Sequence, residues 1–285
     1  MKKIAFVSDF FIQDGIGGAE LTTDAIIRFG VQKGFDIGTI RCFRVNEALL
    51  EQNKNDFHFI VCNFVQIQND VKLYMIKNCS YSIIEYDYKI CEYRSYELHE
   101  QATGEPCDCE TKLNGKINAA FYGYAERVWF MSEKQKNMIQ SKVPVLKDNN
   151  CCVLSSVFSV GDLRFINSIK NNEKNDKYLI LDSDSPVKGT DRCIQYAKNN
   201  SLRYEKIKNL QYHELLIKLS TSKGLIFMPV ASDTCPRLVI EAKMLGCDLI
   251  LNEHVQHKDE PWFETGQSCY KHLNNRAEEF WSYYE

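Results

Sequence analysis

Residues 225–242 read LIFMPVASDTCPRLVIEA. The apolar run Leu225–Met228 stops at a proline, small and acidic residues follow, and a helical apolar period then runs over Arg237–Leu245. A short apolar run bounded by turn signals and followed by a 3.6-residue period predicts strand, loop, helix. Asp233 then sits in the loop and Glu241, with seven residues between them, in the first turns of the helix. A helix starting near Cys235 turns backbone N–H groups toward an anion such as a phosphate, and Glu241 is placed to accept hydrogen bonds from ribose hydroxyls. A plainer reading makes Asp233 a helix cap and Glu241 a surface carboxylate.

The same pattern recurs on both sides of this stretch. Upstream, Tyr178–Leu181 is strand-like, 182–189 reads DSDSPVKG, and Thr190–Asn199 and Gln211–Ser220 are helical; downstream, Asp248–Leu251 is strand-like and 275–285 forms an aromatic-rich helix. In the first half the predicted strands are Lys3–Ser8, Asp36–Arg41, Phe57–Asn63, Tyr81–Glu85, Arg127–Met131 and Cys151–Leu154, with helices clearest over Ala19–Lys33 and Glu133–Ser141. Alternating strands and helices imply βαβ units and parallel sheets. The polar stretch 167–177, NSIKNNEKNDK, reads as a linker. The expected organisation is α/β with two Rossmann-like domains facing a cleft: residues 1–166, carrying a Cys/His-rich insertion near 88–115, and residues 178–285. Open parallel sheets take ligands beyond the carboxyl ends of their strands, so the ligand is expected between the two.

Composition narrows the function classes. Hydrophobic residues at 44% and charged residues at 26% describe an ordinary globular chain, and a net charge of −3 gives no support to non-specific nucleic-acid binding. The N-terminal apolar run Ile4–Val7 is too short for a signal peptide and stops at Ser8-Asp9, and no run is long enough to cross a bilayer. A cytoplasmic protein is expected. In that compartment the twelve cysteines do not imply disulfides; Cys42, Cys62, Cys193 and Cys247 read as small buried hydrophobes.

Three further groups carry chemistry. The first strand leads into Gly15-Ile16-Gly17-Gly18-Ala19-Glu20 and a helix. Gly17 and Gly18 let the backbone approach an anion at a helix N-terminus, or merely permit a tight turn; the pattern is neither GxGxxG nor GxxxxGK[ST]. The strand Tyr81–Glu85 ends in Glu85-Tyr86-Asp87-Tyr88. Asp87 or Glu85 is placed to meet a ligand hydroxyl or positive charge, with Tyr86 and Tyr88 to stack, unless the segment is only a polar strand end. Last, Cys91, His99, Cys107 and Cys109 fall within 19 residues. Thiolate and imidazole are the ligands of structural zinc, although this spacing is not that of a standard finger; free cysteines beside a surface histidine are the alternative.

Taken together, Gly17-Gly18-Ala19-Glu20, Lys188-Gly189 and Asp233-x7-Glu241 resemble the retaining glycosyltransferases of the GT-B fold, a resemblance that spans Ile4 to about Val255. It implies a nucleotide diphosphate sugar donor, UDP- or GDP-linked, with Gly17 and Gly18 against the diphosphate and Lys188 neutralising it. It further implies Asp233 near the transferred sugar, Glu241 on the ribose, and Thr234 and Cys235 in backbone contact. The family's usual arginine five residues before the lysine is Ser183 here, so the second phosphate-neutralising charge comes from elsewhere, with Arg237 as the candidate. The first acid of the motif is Asp233 where the family usually has glutamate. No catalytic metal cofactor is expected, since Lys188, Arg237 and helix N-termini supply charge to the leaving group.

The leading reading is therefore an enzyme transferring a hexose, with retention, to a saccharide, a lipid-linked glycan or a protein. A modified DNA base is an alternative acceptor, disfavoured by net charge. A non-catalytic sugar-nucleotide or glycan-binding module is the alternative from a different class.

Overall fold

A computed structural model of the chain describes residues 3–15, 17–146 and 148–285. Ile16 of the glycine-rich loop lies outside them. The described chain divides into two units: Met1–Val157 with Ala277–Glu285, and Phe158–Arg276.

The first unit is built on a parallel sheet of six strands: β1 (Lys3–Ser8), β2 (Ile37–Arg41), β3 (Phe57–Val61), β4 (Ser80–Glu85), β5 (Val128–Phe130) and β6 (Cys151–Val153), in the order β2-β1-β3-β4-β5-β6. Apart from its first residue, each of β1, β3 and β4 is buried along its whole length. Helices on both faces of a parallel sheet require that pattern. The core gathers Phe59, Phe64, Tyr81, Phe121, Tyr122 and Phe130, with Tyr81 stacked on Phe121 at 4.7 Å between ring centroids.

The second unit has four parallel strands, β7 (Tyr178–Leu181), β8 (Tyr204–Ile207), β9 (Gly224–Phe227) and β10 (Asp248–Leu251), in the order β10-β9-β7-β8. Its apolar centre includes Ile180, Cys193, Ala197 and Ile226.

In both sheets the strand order reverses direction at one place. That place lies between β1 and β3 in the first unit and between β7 and β9 in the second. A reversal of this kind opens a crevice at the carboxyl ends of the two strands, the place where open α/β sheets bind ligands.

Three features differ from expectation. First, the units divide at Phe158, not within 167–177; residues up to Ile169 continue the helix Val160–Ile169, which Ser159 caps by accepting from the Asp162 N–H at 3.0 Å. Second, the aromatic C-terminal segment belongs to the first unit. Trp281 is fully buried, its Nε1 donates to the Ile26 carbonyl at 2.8 Å, and its ring fills the space over Gly30, where a Cβ would stand 2.2 Å from the ring. Third, β8 is an edge strand whose Tyr-Glu-Lys-Ile sequence lacks an apolar run. Cys42, Cys62, Cys193 and Cys247 are all buried and free, as their apolar neighbourhoods imply.

The second unit also holds an uncharged histidine at its centre. His257 is fully buried, with neither ring nitrogen hydrogen-bonded to a described residue, and it stacks on Trp262 at 5.4 Å with 9° between the planes. Burial pushes its pKa down to about 3. An unfolded chain takes up this proton below about pH 6.5 while the folded one does not, so stability falls as pH drops from there toward 3. The expected slope from this group is about 1.4 kcal/mol per pH unit. Urea titrations of the wild type and His257→Phe between pH 7 and 4 check it: the variant should lose that part of the slope, and equal slopes would refute the assignment.

Candidate functional site

The two motif-bearing loops of the second unit lie side by side at its strand-order reversal. Residues 182–189 follow β7, and 228–236 follow β9. Val230 N–H donates to the Val187 carbonyl at 2.9 Å, joining the loops. Gly189 makes the contact feasible. It has φ +65°, and a Cβ there would lie 2.1 Å from the Met228 carbonyl oxygen. The glycine of Lys188-Gly189 is therefore required by backbone conformation and by close approach together.

This junction puts Lys188 against Asp233. Nζ and Oδ2 are 2.6 Å apart, and the lysine side chain keeps a third of its surface exposed. Asp233 is fixed through its backbone: its N–H donates to the His254 carbonyl at 2.9 Å, and its carbonyl accepts from Gln256 N–H at 3.1 Å. It does not sit at the cap position, which Pro236 occupies. Thr234 and Cys235 are buried in the turn that leads into the helix Arg237–Met244.

Glu241 is not a surface group. It is buried, and Oε1 accepts from the Tyr212 hydroxyl at 2.9 Å and lies 3.4 Å from Arg237 Nε. Arg237 Nη2 in turn donates to the Tyr212 oxygen at 3.0 Å, so the tyrosine links the two charges. The guanidinium lies 3.8 Å from the centroid of the Phe158 ring and 3.9 Å from Asp162. Burial raises the Glu241 pKa, against the opposing pull of Arg237 and Tyr212. Arg237 is itself buried within this cluster, so its charge serves Glu241 first. On the loop where the resemblance wants an arginine, Ser183 Oγ accepts from Ser185 N–H at 3.2 Å. Cations flank that loop from β8 and the residue after it: Lys206 bonds Asp182 at 2.9 Å and Lys208 bonds Asp184 at 2.7 Å.

In the first unit, Gly17 precedes the helix Gly18–Gln32, which has no side-chain cap. Glu20, Asp14 and Phe10 border a small depression of about 240 Å³ there. A Cβ on Gly17 would meet only the flexible end of Glu20, at 2.4 Å, so this glycine has φ −125° and no conformational need to be glycine.

At the end of β4 the carboxylates are ion-paired. Glu85 is fully buried; its Oε1 accepts from Lys89 Nζ and from Asp87 N–H at 2.9 and 2.8 Å, and Tyr122 donates to Oε2. Asp87 accepts from Lys89 at 2.9 Å and from Arg94. Burial pushes both carboxyls up. For Glu85 it wins; for Asp87 the Lys89 and Arg94 cations outweigh it and hold the group below its ordinary value. Gln135 Nε2 donates to the carbonyls of Glu85 and Asp87, at 3.1 and 2.8 Å, and locks the turn. Tyr88 is buried against Tyr96, and the Tyr86 hydroxyl is 2.7 Å from Thr23 Oγ1. Tyr88 is thus a core residue and not a stacking platform.

Sequence spacing missed Tyr212, Phe158, Asp162, Tyr122 and Gln135, because each reaches its partner only through the fold. Lys89 was missed as well, although its place four residues after Glu85 is a spacing that could have pointed to it.

No protein-family model matches this sequence, and no protein of established function matches it by sequence. Solved structures do share its fold. Sucrose-phosphate synthase from Thermosynechococcus elongatus aligns with a TM-score of 0.63 at 12% identity, covering 100% of this chain and 98% of that one. The catalytic domain of starch synthase IV from Arabidopsis thaliana, bound to ADP and acarbose, gives 0.62 at 8% identity, covering 98% and 92%. HepE from Anabaena, in complex with UDP and glucose, gives 0.54 at 11%, covering 99% and 95%. The chain has the α/β fold of the GT-B glycosyltransferases. No helix among the described residues is long and apolar enough to cross a membrane.

Proposed function

We propose that the chain is a retaining glycosyltransferase whose second unit binds a UDP- or GDP-linked sugar at the junction of the loops after β7 and β9. The observation that carries this reading is the Lys188–Asp233 pair at the strand-order reversal, on the same loop-helix segment as a buried, fixed Glu241. A cation with a third of its side chain exposed, beside a carboxylate largely shielded from solvent at the strand-order reversal, supports a role toward a ligand. In the proposed complex the diphosphate takes Lys188, with N–H groups at the start of Arg237–Met244 as further anion contacts. Asp233 then faces the sugar and Glu241 the ribose. As the sugar–phosphate bond breaks, Lys188 stabilises charge on the departing phosphate. A departing phosphate oxygen takes the acceptor proton, so no separate base is needed. The acceptor, a hydroxyl of a saccharide, lipid-linked glycan or protein, meets the first unit at the end of β4. Asp87 supplies negative charge there while Lys89 and Arg94 orient it.

A thermal-shift panel with UDP, GDP, ADP, CDP and dTDP tests the reading. One diphosphate should stabilise the protein, by about 2.7 kcal/mol at a hundredfold excess over its Kd. Lys188→Ala should remove most of that stabilisation and lower turnover with it, while Glu241→Gln should weaken the nucleoside contact. Equal stabilisation in wild type and both variants would refute the site. Binding without donor hydrolysis or transfer would favour the non-catalytic module.

A further inference from the structure

The first unit contains a second cluster of reactive side chains that the proposed transfer reaction does not use. Cys91 lies in the turn after β4, His99 in the helix Tyr96–Thr103, Cys107 in the loop beyond it, and Cys109 at the start of the short 3-10 turn Cys109–Thr111. All four are buried, and their ligand-type atoms lie within 4.8 Å of one another. His99 Nδ1 faces two sulfurs, 3.8 Å from Cys91 Sγ and 3.4 Å from Cys109 Sγ. A tetrahedral zinc ion, with bonds of about 2.3 Å to sulfur and about 2.0 Å to nitrogen, sets neighbouring ligand atoms roughly 3.5–3.8 Å apart.

Three arguments separate this from a plain cysteine core. A buried imidazole aimed at two thiols is a poor apolar packing unit and a good ligand set. The three thiols converge on one point and are all free, although a disulfide uses only two. The apolar cluster of the surrounding segment is small: it consists of Cys91, Cys107 and Cys109, with Tyr96 packed against them. The loop that carries Cys109 is also clamped in place. A Cβ on Gly115 would stand 1.8 Å from the Cys109 carbonyl oxygen, so only glycine lets the next helix approach so closely.

We propose that Cys91, His99, Cys107 and Cys109 bind one structural Zn²⁺ ion, which fixes the segment between β4 and the helix Leu113–Gly123. Four protein ligands fill a tetrahedral site and leave no position for water, so the ion anchors and does not catalyse. Cys91 and Cys109 also line a cavity of about 740 Å³ whose wall carries Lys72, Arg94 and Lys112. The same wall carries Asp70 and Glu92, so the metal shapes a recess of mixed charge beside the Asp87 turn.

Metal analysis of the full-length protein, purified from zinc-supplemented medium without chelator, tests this. About one zinc per chain is expected. It should be lost from His99→Ala and Cys107→Ser, and a strong chelator should lower the melting temperature of the wild type, with zinc restoring it. Cobalt substituted into the wild type should show the visible absorption of a tetrahedral thiolate site, which decides the matter even if the variants do not fold. A folded, zinc-free wild type that neither takes up zinc nor gives the cobalt spectrum would overturn the proposal. So would iron in place of zinc, or full zinc content in both variants. Each readout is independent of nucleotide binding, so failure here leaves the donor site untouched, and the converse holds.

Discussion

Replacing Lys89 by methionine is expected to destabilise the protein by about 3–5 kcal/mol, because it leaves the buried Glu85 carboxylate without its cation. Lys89 is buried and its Nζ lies 2.9 Å from both Glu85 and Asp87. Arg94 remains for Asp87, but Glu85 keeps only Tyr122 and a backbone N–H. The melting temperature should fall on the order of 10 °C in a unit of this size. Adding Glu85→Gln to Lys89→Met should recover much of the loss, since a neutral amide needs no counter-charge. The decisive measurement is the double-mutant cycle by urea unfolding: additive losses would show that the two side chains are not coupled.

Arg237→Met is the second large effect, of similar size and in the other unit. The guanidinium is buried among Glu241, Tyr212, Asp162 and the Phe158 ring. Without it Glu241 has only the Tyr212 hydroxyl and shifts further toward its protonated form. The cost is about 3–5 kcal/mol, and under the proposed function nucleotide affinity falls as well, because the carboxylate loses its charge and its position. Arg237→Lys should keep part of the stability and lose the planar geometry that stacks on Phe158 and reaches Tyr212. Calorimetric unfolding together with nucleotide titration of both variants separates the two effects. Wild-type stability in Arg237→Met would show that the cluster carries little energy.

Much of this was legible in the chain. β1, β7 and β10 start and stop where their apolar runs do, and the helix Thr190–Asn199 matches its period to the residue. Asp233, Glu241 and Lys188 could be singled out from their spacing, and the structure pairs Lys188 with Asp233 and buries Glu241 in the helix that follows. What the spacing could not show was the state of each group: whether Glu241 is exposed or buried, or whether Arg237 is free for a phosphate. Those depend on Tyr212 and Phe158, which lie 29 and 83 residues from Glu241 along the chain. The unit boundary was misread for a related reason. A polar run such as 167–177 signals exposure, but exposure is equally a property of a helix end and the turn after it. The ownership of the C-terminal helix depended on a slot over Gly30 shaped for Trp281, a fit with no signature in local composition.

That last contact has a consequence for synthesis. The second unit is one continuous stretch, Phe158–Arg276, while the first is completed only by Ala277–Glu285. On the ribosome the six-stranded sheet emerges early but waits for Trp281 while roughly 120 further residues are made, on the order of ten seconds at about 5–20 residues per second. During that interval Gly30 and Ile26 lack the Trp281 ring that covers them in the finished fold. A chain ending before Ala277 keeps the whole of the second unit and lacks the segment that completes the first.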